Sequence, residues 1–215
     1  MKVKVCGLKE KNNVSALQKL ALDYMGFIFY EKSPRNISDT TCEFVGFDHI
    51  LAQGIKKVGV FVDAPITFVL EKIAAFDLDY VQLHGKENVF YCQSLKKKGV
   101  KIIKAFSIHD TFSFTQTGIY EYDCDFFLFD TKGKNPGGNG TQFDWSILDH
   151  YKGNTPFFLS GGISPESIEA IRSLNHPKLY AIDVNSKFEI EPGLKDIEKV
   201  SDFVHRLRSR STKDW

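Results

Sequence analysis

Eight short apolar runs, rich in Val, Ile and Phe, recur along the chain at regular intervals. They begin at residues 2, 24, 57, 79, 101, 126, 156 and 179, so successive starts lie 22 to 33 residues apart. Such an interval accommodates a strand, a helix and two loops, as a parallel crossover requires. The pattern therefore predicts eight strands: Lys2–Cys6, Tyr24–Phe29, Lys57–Val62, Asp79–Leu83, Lys101–Phe106, Phe126–Phe129, Pro156–Leu159 and Leu179–Val184.

Between these runs, apolar residues recur at helical spacing. Three stripes stand out: Val14, Leu17, Leu20 and Ala21; Ile66, Val69, Leu70 and Ile73; and Ile168, Ile171 and Leu174. Ser164 followed by Pro165 is typical of a helix start, and Asp144 is a second expected N-cap. The chain thus alternates strands with helices.

Eight strand–helix units in 215 residues fit either a closed (β/α)8 barrel or an open doubly wound sheet. The first loop lacks the Gly-x-Gly-x-x-Gly fingerprint of dinucleotide-binding open sheets. Ser160-Gly161-Gly162 follows the seventh strand and Asn185-Ser186 the eighth, where barrel enzymes commonly bind phosphate. We therefore predict an α/β fold, a single-domain (β/α)8 TIM barrel over residues 1–215.

The balance of charges and the spacing of the cysteines argue against several kinds of partner and site. The chain has 28 Lys plus Arg and 27 Asp plus Glu, and this balance does not favour nucleic acid or a membrane surface as a partner. We find no secretory signal and no run long enough to span a bilayer, so we expect a cytoplasmic protein. No metal is expected, because the four cysteines are scattered and lack the spacing of metal ligands. They are Cys6, Cys42, Cys92 and Cys124.

In a barrel, the residues that end the strands converge on one face, where catalysis takes place. Cys6 ends the first strand, immediately before Gly7. A free cysteine is most often a small core residue, and spacing alone favours that interpretation. The other residues at the predicted rim are Arg35, Asp63, His84, Ser107, Asp130, Gly161, Gly162, Asn185 and Ser186.

Asp130 ends the apolar run Phe126–Phe129, and a partly desolvated carboxyl group there suits proton donation. The alternative is a loop or capping carboxylate. The glycine-rich segment 131–141 that follows is interpreted as a lid over the site. Together these features make Asp130 a candidate general acid.

Two anion-binding features accompany it. Glycines at 161 and 162 allow backbone N–H groups to approach a phosphate, although they also suit a simple tight turn. Arg35, stiffened by Pro34, matches a carboxylate or phosphate with two hydrogen bonds, or it is an ordinary surface arginine. His84 either binds a ligand or fills the barrel rim, and Asp63 is expected to cap a helix ahead of Pro65.

Strand parity places Lys4 and Cys6 on one face of the first strand. A lysine inside the barrel needs a partner, and Asp183 on the neighbouring eighth strand is the candidate. We expect this lysine to bias Cys6 toward the thiolate.

Taken in order, the motifs resemble those of the phosphoribosylanthranilate isomerase family of tryptophan biosynthesis. The resemblance runs from residue 2 to about residue 196, and no single motif would be specific. It rests on Lys4-Val-Cys-Gly-Leu8, Gly26-Phe-Ile-Phe29 with Ser33-Pro-Arg35, Val58–Val62, Val81-Gln-Leu-His-Gly85, Asp130 with Gly137–Gly140 and Phe143-Asp-Trp145, Ser160-Gly-Gly162, and Asp183-Val-Asn-Ser186 with Glu189 and Pro192–Asp196.

The resemblance implies an Amadori rearrangement of N-(5'-phosphoribosyl)anthranilate to 1-(2-carboxyphenylamino)-1-deoxyribulose 5-phosphate. It implies Cys6 as general base and Asp130 as general acid, without a cofactor or metal. Arg35 would hold the anthranilate carboxylate. His84, Gly161, Gly162, Asn185 and Ser186 complete the implied substrate-binding set. The expected partner is this small phosphorylated molecule, and the protein is expected to be a monomer or homodimer.

Two alternatives remain at the level of sequence. One is another phosphosugar isomerase on the same barrel, such as that of histidine biosynthesis, which uses an aspartate at the first strand instead of a cysteine. The other is a catalytically silent phosphate-binding barrel. The chain also departs from the family pattern at Lys187, at Asn139 and in a slightly extended stretch at 132–136.

Overall fold

Eight parallel strands close into one barrel in the computed structural model, which describes residues 1–37, 54–131 and 145–209. Each strand pairs with the next along the chain, and β8 pairs with β1. The predicted strands are confirmed, with boundaries that differ by at most two residues. The strands are β1 Lys2–Val5, β2 Tyr24–Ile28, β3 Lys56–Phe61, β4 Tyr80–Leu83, β5 Ile102–Ile108, β6 Phe126–Thr131, β7 Phe157–Ser160 and β8 Leu179–Val184.

Helices connect these strands on the outside of the barrel. The α-helices are α1 Lys11–Leu17, α2 Ile66–Phe76, α3 Val89–Lys96, α4 Ile168–Ser173 and α5 Ile197–Arg208. The 3₁₀ helices span Phe114–Tyr120, Trp145–His150, Pro165–Ser167 and Ser186–Phe188. None of these described helices is both long and apolar enough to cross a lipid bilayer.

The helix start predicted at Ser164 and Pro165 is confirmed. Pro165 is the first residue of its 3₁₀ helix, and Ser164 donates its N–H to Ser167 Oγ at 3.1 Å. The first predicted stripe is too long, because α1 ends at Leu17 and leaves Leu20 and Ala21 beyond it. The expected cap at Asp144 lies outside the described residues.

A short hairpin follows the eighth strand and was not predicted. Its strands, β9 Glu189–Glu191 and β10 Leu194–Lys195, pair antiparallel. Gly193 joins them with φ +97°, a left-handed conformation that favours glycine. The hairpin carries two charged side chains that reach the barrel face described below.

The barrel interior is divided into an apolar and a polar layer. Near the strand starts, Tyr24, Val58, Ile103, Leu128, Phe158 and Ala181 form one buried cluster. Towards the strand ends the interior becomes polar, with Lys4, Gln82 and Asp183 all buried. Because the apolar layer excludes water from below, these polar groups need partners within the protein.

Candidate active site

Cys6 lies immediately after β1, at the carboxyl end of the barrel. Its N–H donates to Val184 O at 2.9 Å, which continues the pairing with β8 by one residue. Gly7 then turns the chain with φ +74°. The thiol packs against Gly26 so closely that a Cβ at Gly26 would lie 2.7 Å from Sγ. The glycine at position 26 is therefore what makes room for the thiol.

The predicted partner of Lys4 is confirmed. Its ammonium group donates to Asp183 Oδ2 at 2.9 Å and to Gln82 Oε1 at 2.8 Å, and the lysine is fully buried. Burial alone would lower the pKa of Lys4, but the nearby Asp183 and Cys6 outweigh it and raise that pKa. Lys4 therefore remains a cation beneath Cys6.

The expected bias of Cys6 toward the thiolate by Lys4 holds in direction, because the Lys4 ammonium group acts to lower the pKa of Cys6. Burial of the thiol raises the pKa of Cys6, and the ammonium groups of Lys4 and Lys195 oppose this shift without cancelling it. Desolvation is the larger effect because Cys6 is only 4% exposed. The net effect favours the neutral thiol in the free protein.

A chain of polar contacts connects this layer with Asp130. Gln82 Nε2 lies 2.8 Å from His84 Nδ1, and His84 Nε2 lies 3.4 Å from Asp130 Oδ2. The imidazole is about one-third exposed and the carboxyl group less so. Lys4, Gln82, His84 and Asp130 thus form a continuous line across the barrel mouth, and Gln82 is a member that the sequence did not single out.

Arg35 belongs to a second charged cluster, which is centred on Glu189 of the hairpin. The Arg35 Nε group donates to Glu189 Oε1 at 2.8 Å, and Nη2 donates to Oε2. Lys195 donates to the same carboxylate and, at 2.7 Å, to Asn185 Oδ1. Burial alone would raise the pKa of Glu189, but the bonds from Arg35 and Lys195 hold it below its ordinary value.

Gly7 brings this cluster next to Cys6. A Cβ at Gly7 would lie 2.6 Å from Arg35 Cδ and 2.7 Å from Asn185 Oδ1. Arg35 and Asn185 therefore both pack directly against the turn that follows Cys6. Lys195 is itself fully buried, and burial lowers its pKa despite the opposing effect of Glu189.

The predicted phosphate cradle at Gly161 and Gly162 has a left-handed backbone conformation at both glycines. Gly161 and Gly162 adopt φ +91° and +65°, and Gly162 is exposed with open space where a Cβ would stand. Ser186 begins a 3₁₀ helix directly after β8 and is also exposed. The helix expected after the glycines starts as a single 3₁₀ turn, Pro165–Ser167, before α4. Backbone N–H groups at these turns suit an anion more than a helix dipole does.

Asp63 and Ser107 are two further residues that the sequence places at the barrel rim. Asp63 does not cap α2, whose N-cap is Pro65; its Oδ1 instead accepts from Lys86 N at 2.6 Å, and its φ is +49°. Asp63 thus joins two loops at the rim. Ser107 pairs in register with Asp130 at the end of β5. The predicted lid, after residue 131, lies outside the described residues.

The predicted site residues converge on one barrel face. Cys6, Arg35 and Asn185 meet around Gly7, while His84 and Asp130 meet across β4 and β6. Gly161-Gly162 and Ser186 lie at the ends of the adjacent strands β7 and β8. Within the described ranges, no group of three or more His, Cys, Asp or Glu residues could hold a metal ion. The face combines a thiol, a carboxyl group, an arginine and an anion-binding backbone.

Comparison with known proteins gives a consistent result. The family model described as N-(5'phosphoribosyl)anthranilate (PRA) isomerase matches residues 3–206. N-(5'-phosphoribosyl)anthranilate isomerase of Parabacteroides distasonis is 49% identical over 207 residues, which cover 96% of this chain and 93% of the relative.

Solved structures of the same enzyme superpose on the whole barrel. Phosphoribosyl anthranilate isomerase from Thermotoga maritima matches with a TM-score of 0.82 and 29% identity, covering 96% of this chain and 98% of the other. A phosphoribosyl anthranilate isomerase in complex with reduced 1-(o-carboxyphenylamino)-1-deoxyribulose 5-phosphate matches with a TM-score of 0.80 and 27% identity, again covering 96% and 98%.

Proposed function

The chain belongs to the N-(5'-phosphoribosyl)anthranilate isomerase family, and we propose that Cys6 and Asp130 are the base and the acid of its isomerisation. The enzyme is an aldose–ketose isomerase of tryptophan biosynthesis. It converts N-(5'-phosphoribosyl)anthranilate into 1-(2-carboxyphenylamino)-1-deoxyribulose 5-phosphate. The observation that carries the proposed roles is the position of a buried thiol and a rim carboxyl group on one barrel face, between an arginine and a glycine cradle.

In the first step, Asp130 protonates the furanose ring oxygen. The bond from C1 to that oxygen breaks, and the anthranilate nitrogen supplies the electron pair that forms a cationic C1=N bond. Cys6 then removes the proton from C2. The C2–H electrons form a C1=C2 bond, and the former C=N pair returns to nitrogen. The resulting enolamine then tautomerises to the ketone. In this step the hydroxyl group on C2 loses its proton and C1 gains one.

The resting state of Cys6 suits this order of events. The buried thiol is neutral in the free enzyme because desolvation raises its pKa. Ring opening creates a cation next to the carbon that loses its proton, which both acidifies C2 and stabilises a nearby thiolate. As this cation forms, the thiol proton of Cys6 is lost to solvent, and the resulting thiolate takes the proton from C2. Cys6 forms no covalent bond with the substrate.

Binding at the two ends of the substrate would place the sugar between acid and base. Glu189 contacts Nε and Nη2 of Arg35, and among the described residues Nη1 has no partner, so its donors suit the anthranilate carboxylate. Backbone groups at Gly161, Gly162 and Ser186 suit the phosphate. The side-chain oxygen of Asn185 is bonded to Lys195, so we assign Asn185 a supporting position in that cradle.

We further propose a single-domain cytoplasmic protein, active as a monomer or homodimer, whose partner is the phosphorylated substrate and not nucleic acid. The balance of 28 basic and 27 acidic residues argues against nucleic acid as the partner.

Turnover of freshly prepared phosphoribosylanthranilate tests the assigned roles. We expect the wild-type protein to catalyse the reaction. In Cys6→Ser and in Asp130→Asn, kcat should fall by at least about 1000-fold, since each change removes one proton-transfer group. Cys124→Ser, at another buried cysteine, and Asp202→Asn, on the exposed face of α5, are matched controls expected to retain activity. Full activity in either site variant would overturn the role of that residue.

A further inference from the structure

Gln82 lies between a cation and an imidazole, and this position determines which atom of its amide faces each neighbour. The Lys4 ammonium group can only donate hydrogen bonds. The Gln82 atom that lies 2.8 Å from Lys4 Nζ must therefore be the acceptor, Oε1. Lys4 is itself held on its other side by Asp183 at 2.9 Å, so the ammonium group cannot turn away.

The amide nitrogen of Gln82 is consequently directed at the imidazole. Nε2 carries only donor hydrogens, and it lies 2.8 Å from His84 Nδ1. Two donors cannot face each other at that distance, so Nδ1 must be the bare, accepting nitrogen. The single hydrogen of the neutral ring is then on Nε2, the nitrogen that lies 3.4 Å from Asp130 Oδ2.

We propose that Gln82, fixed by Lys4, sets the tautomer of His84 so that Nε2–H donates to Asp130 Oδ2 and leaves Oδ1 to deliver the proton. This inference rests on the proposed role of Asp130 as the acid. Gln82 and Lys4 act as positioning residues, because both are buried beneath the site.

The direction of this hydrogen bond matters for proton delivery. With hydrogen on Nε2, the ring occupies the carbonyl-type oxygen of the acid and then faces the negative charge that remains after transfer. With hydrogen on Nδ1, a bare Nε2 would face the carboxyl group and accept its proton. The acid would then be turned away from the sugar. Gln82 excludes this second arrangement.

Gln82→Glu tests the proposal, because a carboxylate of nearly the same shape has no donor. It would accept from both Lys4 and the ring, so the hydrogen of the neutral imidazole should move to Nδ1. Long-range ¹H–¹⁵N spectra of the labelled protein report the tautomer directly, and His84→Asn identifies the signal. The spectra of the wild type and the variant are compared at a pH high enough that the chemical shifts of His84 no longer change. The ring is then neutral in both proteins.

We expect the Nε2–H form in the wild type, the Nδ1–H form in Gln82→Glu, and a fall in kcat of about 100-fold or more, by analogy with the effect of a wrong histidine tautomer in serine proteases. KM should change little, because Gln82 is buried beneath the site. Gln82→Met, which has neither donor nor acceptor, should populate both forms with an intermediate kcat. Gln116→Glu makes the same chemical change at an exposed residue and should alter neither.

A wild-type ring with its hydrogen on Nδ1 would overturn the inference. So would a Gln82→Glu enzyme in which the hydrogen has moved but kcat is unchanged. A purely structural role for Gln82 would lower the melting temperature without moving the ring hydrogen. If instead Asp130→Asn proved fully active, the assigned acid would be wrong while the tautomer result still stood, so the two failures are distinguishable.

Discussion

The guanidinium group of Arg35 is bound at two nitrogens by the carboxylate of Glu189, which lies 154 residues further along the chain. The contact raises the pKa of Arg35, chiefly through the hydrogen bonds to Glu189. It also fixes the plane of the guanidinium group, so the remaining donors point in one direction. The hairpin after β8 therefore orients a side chain of the loop after β2 that we propose to bind substrate.

Arg35→Lys should weaken substrate binding more than catalysis. A lysine keeps the positive charge but cannot contact Glu189 with two nitrogens and still present a fork to the substrate. We expect KM for phosphoribosylanthranilate to rise by about 10- to 100-fold, with a smaller change in kcat. Steady-state kinetics measure both, and Lys32→Ala, at an exposed position in the same loop, is the control. An unchanged KM would contradict the assigned role.

Glu189→Gln should alter the pH dependence of stability. The folded pKa of Glu189 lies below its ordinary value of 4.5. The charged carboxylate therefore stabilises the fold above about pH 4.5, and this contribution is lost as the pH falls through the lower, folded pKa. We expect the variant to be less stable at neutral pH, and the difference in unfolding free energy between wild type and variant to shrink below pH 4.5.

Urea unfolding at a series of pH values measures this difference. Glu191→Gln, on the exposed side of the same hairpin, should match the wild type throughout. A difference between wild type and Glu189→Gln that stays constant as the pH falls would exclude Glu189 as the source.

The strand ends were predictable because each one closes a local apolar run. Cys6, His84 and Asp130 all stand where such a run stops, and a closed barrel brings strand ends together whatever the loops do. Parity also predicted the inward direction of Lys4, and its partner Asp183 pairs with it in register. The same parity applies to Gln82 on β4 and His84 directly after it, so a signal for Gln82 was present in the sequence.

Other features depend on structure that no local pattern encodes. Glu189 and Lys195 come from a hairpin that lies outside the eight-fold repeat, and their role depends on folding back over the loop after β2. The direction in which Lys4 acts on Cys6 was predictable, but the net rise in the pKa of Cys6 was not, because desolvation depends on how the whole barrel packs. Asp63 accepts a hydrogen bond from Lys86, 23 residues further along the chain, instead of capping its own helix.

Lys2 and Lys4 provide a comparison of exposed and buried ion pairs on one strand. Lys2 Nζ lies 2.7 Å from Asp23 with its side chain 52% exposed, while Lys4 Nζ lies 2.9 Å from Asp183 and is fully buried. Lys4→Met leaves a buried carboxylate without its cation and should cost about 3–5 kcal/mol of unfolding free energy. Lys2→Met should cost less than about 1 kcal/mol.

A double-mutant cycle tests whether the ion pair between Lys4 and Asp183 accounts for the lost stability. Adding Asp183→Leu to Lys4→Met removes the unpaired charge, and we expect this second change to recover part of the lost stability. Denaturant unfolding of the four proteins measures the coupling. Strictly additive effects at positions 4 and 183 would mean that the ion pair does not determine the cost.

Gly26→Ala should impair catalysis by displacing the base. The added methyl group would lie 2.7 Å from Cys6 Sγ and 3.1 Å from Cys6 Cα, so the thiol must move. We expect kcat to fall by about 100-fold because small displacements of a reacting group are costly, with a stability loss of only about 1–3 kcal/mol from overpacking. Gly118→Ala, where no atom lies within 4 Å of the new methyl group, is the matched control for kinetics and unfolding. Wild-type kcat in Gly26→Ala would mean that the position of the thiol does not limit the reaction, and Cys6 would then lose its assignment as the base.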